Sequence, residues 1–150
     1  APTNAPFSIP HYIPLANMCF DSKEMPELDW IKLDGASYYG ELAINAVTFH
    51  VGTGYVRTRA YNGMIPGPLI RMKACGKYYL NVLNKMNDWP AYITDDVNVM
   101  KNPTATNLHL HGLHISGEPP GDDVFGEILP GEAKVYEYII PCDHVGGANW

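Results

Sequence analysis

Charge is scarce in this sequence. Asp, Glu, Lys and Arg make up 17% of its 150 residues, and Lys plus Arg number only 10 against a net charge of −6. So few cations exclude the basic surface that nucleic acid or an anionic membrane requires. Long apolar runs are missing as well: none approaches the roughly 18 residues of a spanning helix, so no membrane span is expected. The three cysteines, Cys19, Cys75 and Cys142, are too few for a scaffold built on disulfides, and one pair would leave an odd thiol. The chain opens Ala1-Pro2 without a Met, a basic n-region or an apolar h-region. A processed form with its leader removed is compatible with that start. There is no internal repeat and no low-complexity run.

Turn chemistry is plentiful: 14 Gly and 13 Pro stand in a chain that is 46% hydrophobic. Little charge and many turn residues favour an all-β domain over a helical one. The length suits one domain, able to bury about 70% of the unfolded chain's surface. Residues 1–40 read as a Pro-rich, irregular N-terminal arm, because Pro2, Pro6, Pro10, Pro14 and Pro26 cannot sit in a central strand. Asp21 to Glu24 offers at most one capped helical turn. The arm is expected to lie over a sheet, or to dock on a partner through Cys19, Phe20 and Trp30.

From residue 41 to 150 the pattern is that of strands. Val, Thr, Ile and aromatics predict strands over 41–51 and 55–61, joined by a hairpin turn at Gly52-Thr53-Gly54. Shorter strands are expected over 69–73 and 77–84, the latter with Tyr78, Leu80 and Val82 on one face. A strand over 133–140 would carry Tyr136, Tyr138 and Ile140 on one face and Val135 and Ile139 on the other. Two apolar faces predict a central place in the sheet. Residues 62–68 form a turn cluster, 116–131 a loop, and 85–105 a polar stretch long enough to be an excursion or an insertion. Short strands between Gly/Pro turns predict a β-sandwich or a small barrel.

The stretch Thr106-Asn107-Leu108-His109-Leu110-His111-Gly112-Leu113-His114 speaks most directly about chemistry. Read as a strand, it turns His109 and His111 the same way, roughly 6.5–7 Å apart along the chain. That spacing suits two neighbouring metal ions, each taking one imidazole, better than a single chelated ion. Gly112 lets backbone or a second domain come close. For a bare H-x-H, two half-buried, hydrogen-bonded imidazoles are the plainer reading. His114 falls on the opposite face if the strand runs straight, which favours a structural or exposed role. His11 and His50 have no chemical context.

Four ordered segments resemble the first cupredoxin domain of the multicopper oxidases, the family of laccases, ferroxidases and bilirubin oxidases. Tyr61-Asn62-Gly63-Met64-Ile65-Pro66-Gly67-Pro68 is similar to its Y-N-G-x-x-P-G-P. Cys75-Gly76-Lys77 with Asn84 resembles its P-G-D turn, strand and Asn. Thr106 to Gly112 resembles its N-x-H-x-H-G, and Pro130-Gly131-Glu132 through Tyr138 its P-G-x…Y-x-Y before a D-H-x-x-G-x-x-W segment. The resemblance covers roughly 41–150. It implies an all-β, cupredoxin-like Greek-key sandwich or barrel behind the arm 1–40.

The resemblance also implies roles. His109 would bind the type 2 copper and His111 a type 3 copper of a trinuclear cluster that reduces dioxygen to water. A substrate, phenol or metal ion, would be oxidised at a type 1 copper outside this chain. The family's pattern continues Tyr-His-x-His beyond the Trp, so the chain reads as a domain cut before the second H-x-H pair. The remaining cupredoxin domains, of the same protein or a partner chain, would supply the other ligands, and dioxygen is the expected partner. Asp122 and Asp123, in the loop after the histidines, are candidates for a proton relay, with a solvated turn as the plainer reading. Cys142-Asp143-His144 lacks a following Met and makes a poor type 1 site. His144 is expected in a turn or as a hydrogen-bonding neighbour of a site. If 77–84 pairs antiparallel with 134–141, Cys75 and Cys142 meet at the strand ends; spacing alone does not fix that bridge. A secreted or otherwise oxidising compartment is expected. The competing reading is a non-catalytic structural or interaction subunit docked through 1–40. A small copper carrier using His109 and His111 alone ranks last, because two imidazoles leave copper under-coordinated.

Overall fold

A computed structural model describes residues 12–13 (backbone only), 25–87 and 102–145. Among the described residues six strands are present: β1 (Tyr12–Ile13), β2 (Ile31–Lys32), β3 (Ser37–Val51), β4 (Gly54–Tyr61), β5 (Lys77–Lys85) and β6 (Ala133–Ile139). No helix occurs among the described residues. The expected helical turn at 21–24, Cys19, Phe20, His11 and most of the 85–105 loop lie outside them.

β3 is the hub of a mixed sheet. Its first half, residues 37–43, runs parallel to β5, and its second half, 44–51, runs antiparallel to β4. β2 and β1 add to it at residues 38–39 and 48–49. The strand starts at Ser37, four residues before the expected start at 41. The parallel partner Lys77 lies far along the sequence, where local pattern cannot reveal it. The β3–β4 turn is tight: Val51 faces Gly54, and Gly52 takes the left-handed φ of +59° that the turn needs. Asn62 and Gly63 make a second such turn, with φ of +51° and +74°.

β5 alternates strictly, burying Tyr78, Leu80, Val82 and Asn84. Tyr136 and Tyr138 of β6 and Ile140 just beyond it meet this face, and Leu28, Leu42 and Ile128 close the core. Full burial of a side chain such as Leu80 or Val82 contributes about 1.5–3 kcal/mol. Asn84 is the polar centre of this core: its Nδ2 donates to Thr104 O and Ile128 O, both at 2.7 Å, and its Oδ1 accepts from Met86 N at 3.1 Å. It thereby ties the end of β5 to both segments that flank the histidines.

Two sequence expectations need correction. β6 is not central: among the described residues it pairs only with β5, and Val135 and Ile139 stay exposed. Its second apolar face is therefore open surface, which the alternation could not distinguish from buried surface. The expected strand at 69–73 is reduced to an isolated bridge between Leu69 and Glu27, where Leu69 exchanges backbone hydrogen bonds with Pro26 and Leu28.

β5 and β6 do pair antiparallel, Lys77 opposite Ile139, and hydrogen bonds carry the pairing on to Cys75 and Gly76 opposite Ile140. Cys75 and Cys142 are joined by a disulfide with Cα atoms 4.3 Å apart. No helix among the described residues is long and apolar enough to cross a membrane.

Candidate metal centre

The histidine segment is not the strand its sequence predicts. Thr106 exchanges backbone hydrogen bonds with Ile128, at 3.1 and 2.8 Å, and beyond it no ladder forms among the described residues. Backbone N–H groups still need acceptors, and side chains provide them. Asn107 Oδ1 and the Tyr136 hydroxyl accept from Leu108 N at 2.8 and 3.2 Å, and Asp122 Oδ1 accepts from Leu110 N at 3.0 Å. The trace is extended nonetheless, so the period of two survives. Leu108 and Leu110 pack on the core, while His109 and His111 lie exposed on the outside. Gly112, at φ +75°, then turns the chain.

The two imidazoles converge. Their centroids are 4.4 Å apart with the planes inclined at 64°. Asp122 lies behind them, its residue only 7% exposed. Its Oδ2 accepts from His109 Nδ1 at 2.5 Å. A carboxylate only accepts, so in the neutral ring the proton sits on Nδ1, which leaves Nε2 with the lone pair that a metal needs. Asp122 is itself fixed by its N–H to Ser116 O at 2.7 Å, next to a turn closed by Gly121. A Cβ at Gly121 would run into Ser116 O, so the turn requires glycine.

The neighbouring acid behaves differently. Asp123 Oδ1 accepts from Phe125 N at 3.0 Å, and its Oδ2 pairs with Lys134 Nζ at 3.3 Å. The Phe125 N–H, with help from Lys134, holds its carboxyl below the usual carboxylate range. Tyr138 places a buried hydroxyl in the same core, and burial, with the charge of Asp122 second, pushes this phenol well up.

The structure thus brings His109, His111 and Asp122 together and gives Asp123 a separate partner. Among the described residues, no group of three or more His, Cys, Asp and Glu side chains gathers as a metal cage. His114 stands apart from this pair, its ring 5.4 Å from that of His144. Cys142, engaged in the disulfide, offers no thiolate. Sequence reasoning missed Asn107 and Tyr136 as the residues that hold the segment. Asn107 Oδ1 accepts from the Tyr136 hydroxyl at 2.5 Å, and its Nδ2 donates to Asp123 O at 3.1 Å. Asn107 and Tyr136 stand 29 residues apart, so no local pattern in the sequence pairs them.

No protein-family model matches the sequence, and no curated protein matches it significantly. Solved structures do match the fold. A multicopper oxidase from Campylobacter jejuni, described as a metallo-oxidase, aligns at TM-score 0.61 and 24% identity over 80% of this chain and 22% of its own. A multicopper oxidase from Pediococcus acidilactici aligns at 0.59 and 21% over 87% and 25%. A laccase from Pediococcus acidilactici Pa5930 aligns at 0.58 and 21% over 79% and 23%. The chain spans about a quarter of the length of these enzymes. It has the all-β, cupredoxin-like fold of a multicopper oxidase domain.

Proposed function

We propose that this chain is a cupredoxin-like domain of a multicopper oxidase and that His109 and His111 supply two imidazoles to its copper cluster. The carrying observation is the pair of exposed rings 4.4 Å apart, with His109 Nδ1 held by buried Asp122. Two-metal sites keep their ions about 3.5–4 Å apart, so rings at this spacing suit one ion each, the type 2 copper on His109 and a type 3 copper on His111. The donor set fits copper, since neutral imidazole suits it and a carboxylate behind the ring fixes the tautomer. It is a half set, so the other donors come from further domains of the same protein or from a partner chain. When bound, the copper cluster supplies the electrons that reduce dioxygen to water, while the substrate, a phenol or a metal ion, is oxidised at a type 1 site elsewhere.

The chain's own residues orient the rings and hold a proton. Asp122 accepts from His109 Nδ1 and so orients the ring, and any part it takes in proton relay runs through the proton on that nitrogen. Asp123 keeps its charge against Lys134 and is expected to matter less. The disulfide supports an exported, oxidising location. A second reading, a structural or interaction subunit without copper, draws on the lack of a third donor among the described residues. Copper content of the complete protein separates the two. Loss of a type 2 electron paramagnetic resonance signal on His109→Ala, with the fold intact by circular dichroism, supports the oxidase. Purification without copper and with unrelated subunits supports the alternative.

A further inference from the structure

The histidine segment is hung from a buried tyrosine. Tyr136 lies on β6, paired with β5 and closed off from water. Its hydroxyl donates to Asn107 Oδ1 at 2.5 Å and accepts from Leu108 N at 3.2 Å. A phenol has one proton to give, so the donor and an acceptor position are both in use. Asn107 Oδ1 also accepts from Leu108 N at 2.8 Å, which turns the amide's Nδ2 toward Asp123 O, 3.1 Å away. One side chain thereby grips two segments: the one that carries His109 and His111, and the loop that carries Asp122. Asp122 meets the first segment again at His109 Nδ1 and Leu110 N. These links close a ring that is rooted in β6 twice. Lys134 Nζ holds the loop, at 3.3 Å from Asp123 Oδ2, and the Tyr136 hydroxyl holds the histidine segment itself.

We propose that Tyr136 is a positioning residue for the metal centre: through Asn107 it sets where His109 stands relative to Asp122, and so how tightly His109 holds copper. This rests on the copper reading of His109 and His111. Between the bridge at Thr106 and the turn at Gly112 no ladder forms among the described residues, so backbone pairing would not restore the register once this link is lost. Hydrogen bonds weaken steeply with distance and angle, and the one from His109 Nδ1 to Asp122 tolerates little drift. Tyr138 supplies the comparison. It stands two residues on, equally buried, its ring centroid 5.9 Å from that of Tyr136. Its hydroxyl has no hydrogen-bond partner among the described residues. The same group therefore occurs in the same core with the link and without it.

The test sets Tyr136→Phe beside Tyr138→Phe in the complete protein with its remaining domains. Each variant removes one buried oxygen and keeps the ring. Tyr136→Phe leaves Leu108 N paired with Asn107 Oδ1, so neither group is stranded and the fold should survive. Against a copper chelator, Tyr136→Phe should release type 2 copper at about tenfold lower chelator concentration than wild type, as loss of a ligand's outer partner does. The hyperfine splitting of its type 2 electron paramagnetic resonance signal should shift. In the metal-free protein its His109 Nδ1 proton should exchange with solvent faster, read from nitrogen-15 spectra of labelled histidine. Tyr138→Phe should match the wild type in all three. Asn107→Ala removes the other half of the link, should act in the same direction, and decides the matter if Tyr136→Phe does not fold. Copper release and Nδ1 exchange unchanged in Tyr136→Phe, or changed equally in Tyr138→Phe, overturn the positioning role. A wild type without copper at this pair overturns the copper reading instead, and Nδ1 exchange in the metal-free variants still judges Tyr136.

Discussion

Asp122→Asn isolates the electrostatic logic of the candidate centre. In the native chain Oδ1 accepts from Leu110 N at 3.0 Å and Oδ2 accepts from His109 Nδ1 at 2.5 Å. A backbone N–H can only donate, so in the variant the amide oxygen must face Leu110. The amide NH2 is then forced toward His109, where it can only donate. His109 must respond by moving its proton from Nδ1 to Nε2. The nitrogen offered to a metal is then blocked. Exchanging a charged hydrogen bond (about 1.5–3 kcal/mol) for a neutral one (about 0.5–1.5) costs about 1–1.5 kcal/mol. For a domain of this size that lowers the unfolding temperature by roughly 3–5 °C, leaving the protein folded at 25 °C. Nitrogen-15 correlation spectra of the imidazoles report the tautomer directly. Removal of such a carboxylate partner typically weakens metal binding about 10–100-fold. A His109 ring that keeps its proton on Nδ1 in Asp122→Asn, or copper affinity unchanged in the complete protein, would refute this reasoning.

Other outcomes follow from the same structure. Asn84→Ala strands the buried Thr104 carbonyl and Met86 N–H, and should cost about 2–5 kcal/mol by guanidinium unfolding. Cys75→Ser/Cys142→Ser opens a link between residues 67 apart, and should lower stability by about 2–4 kcal/mol, the same as reduction of the wild type. Asp123 has a folded pKa below its ordinary value, so its stabilisation is present above about pH 4 and is lost as pH falls through the lower folded value. Asp123→Asn should therefore flatten the acid limb of the stability–pH curve, and an unchanged limb would contradict the Phe125 and Lys134 contacts.

Much of the fold was legible where a strand is buried on one face. In β5 the alternation of Tyr78, Leu80 and Val82 with half-buried residues matches its sequence pattern residue for residue. The hairpin at Gly52 was legible because the turn needs a left-handed residue. Parallel pairing of β3 with β5 was not, since its partners lie some 40 residues apart and leave no local trace. β6 misled because Val135 and Ile139 look like core yet face outward. At the site, the shared direction of His109 and His111 was legible from the period of two. The reason they stay there was not: Asn107, Tyr136 and Asp122 replace a ladder with side-chain hydrogen bonds, and these join residues up to 29 apart in sequence.

The central claim is that His109 and His111 face copper. Anomalous diffraction at the copper edge, from crystals of the complete protein with its remaining domains, addresses it most directly. The account predicts separate copper peaks at bonding distance from His109 Nε2 and from the His111 ring, with Asp122 still on His109 Nδ1. Rings covered by another protein surface, with no anomalous peak beside either, would contradict it.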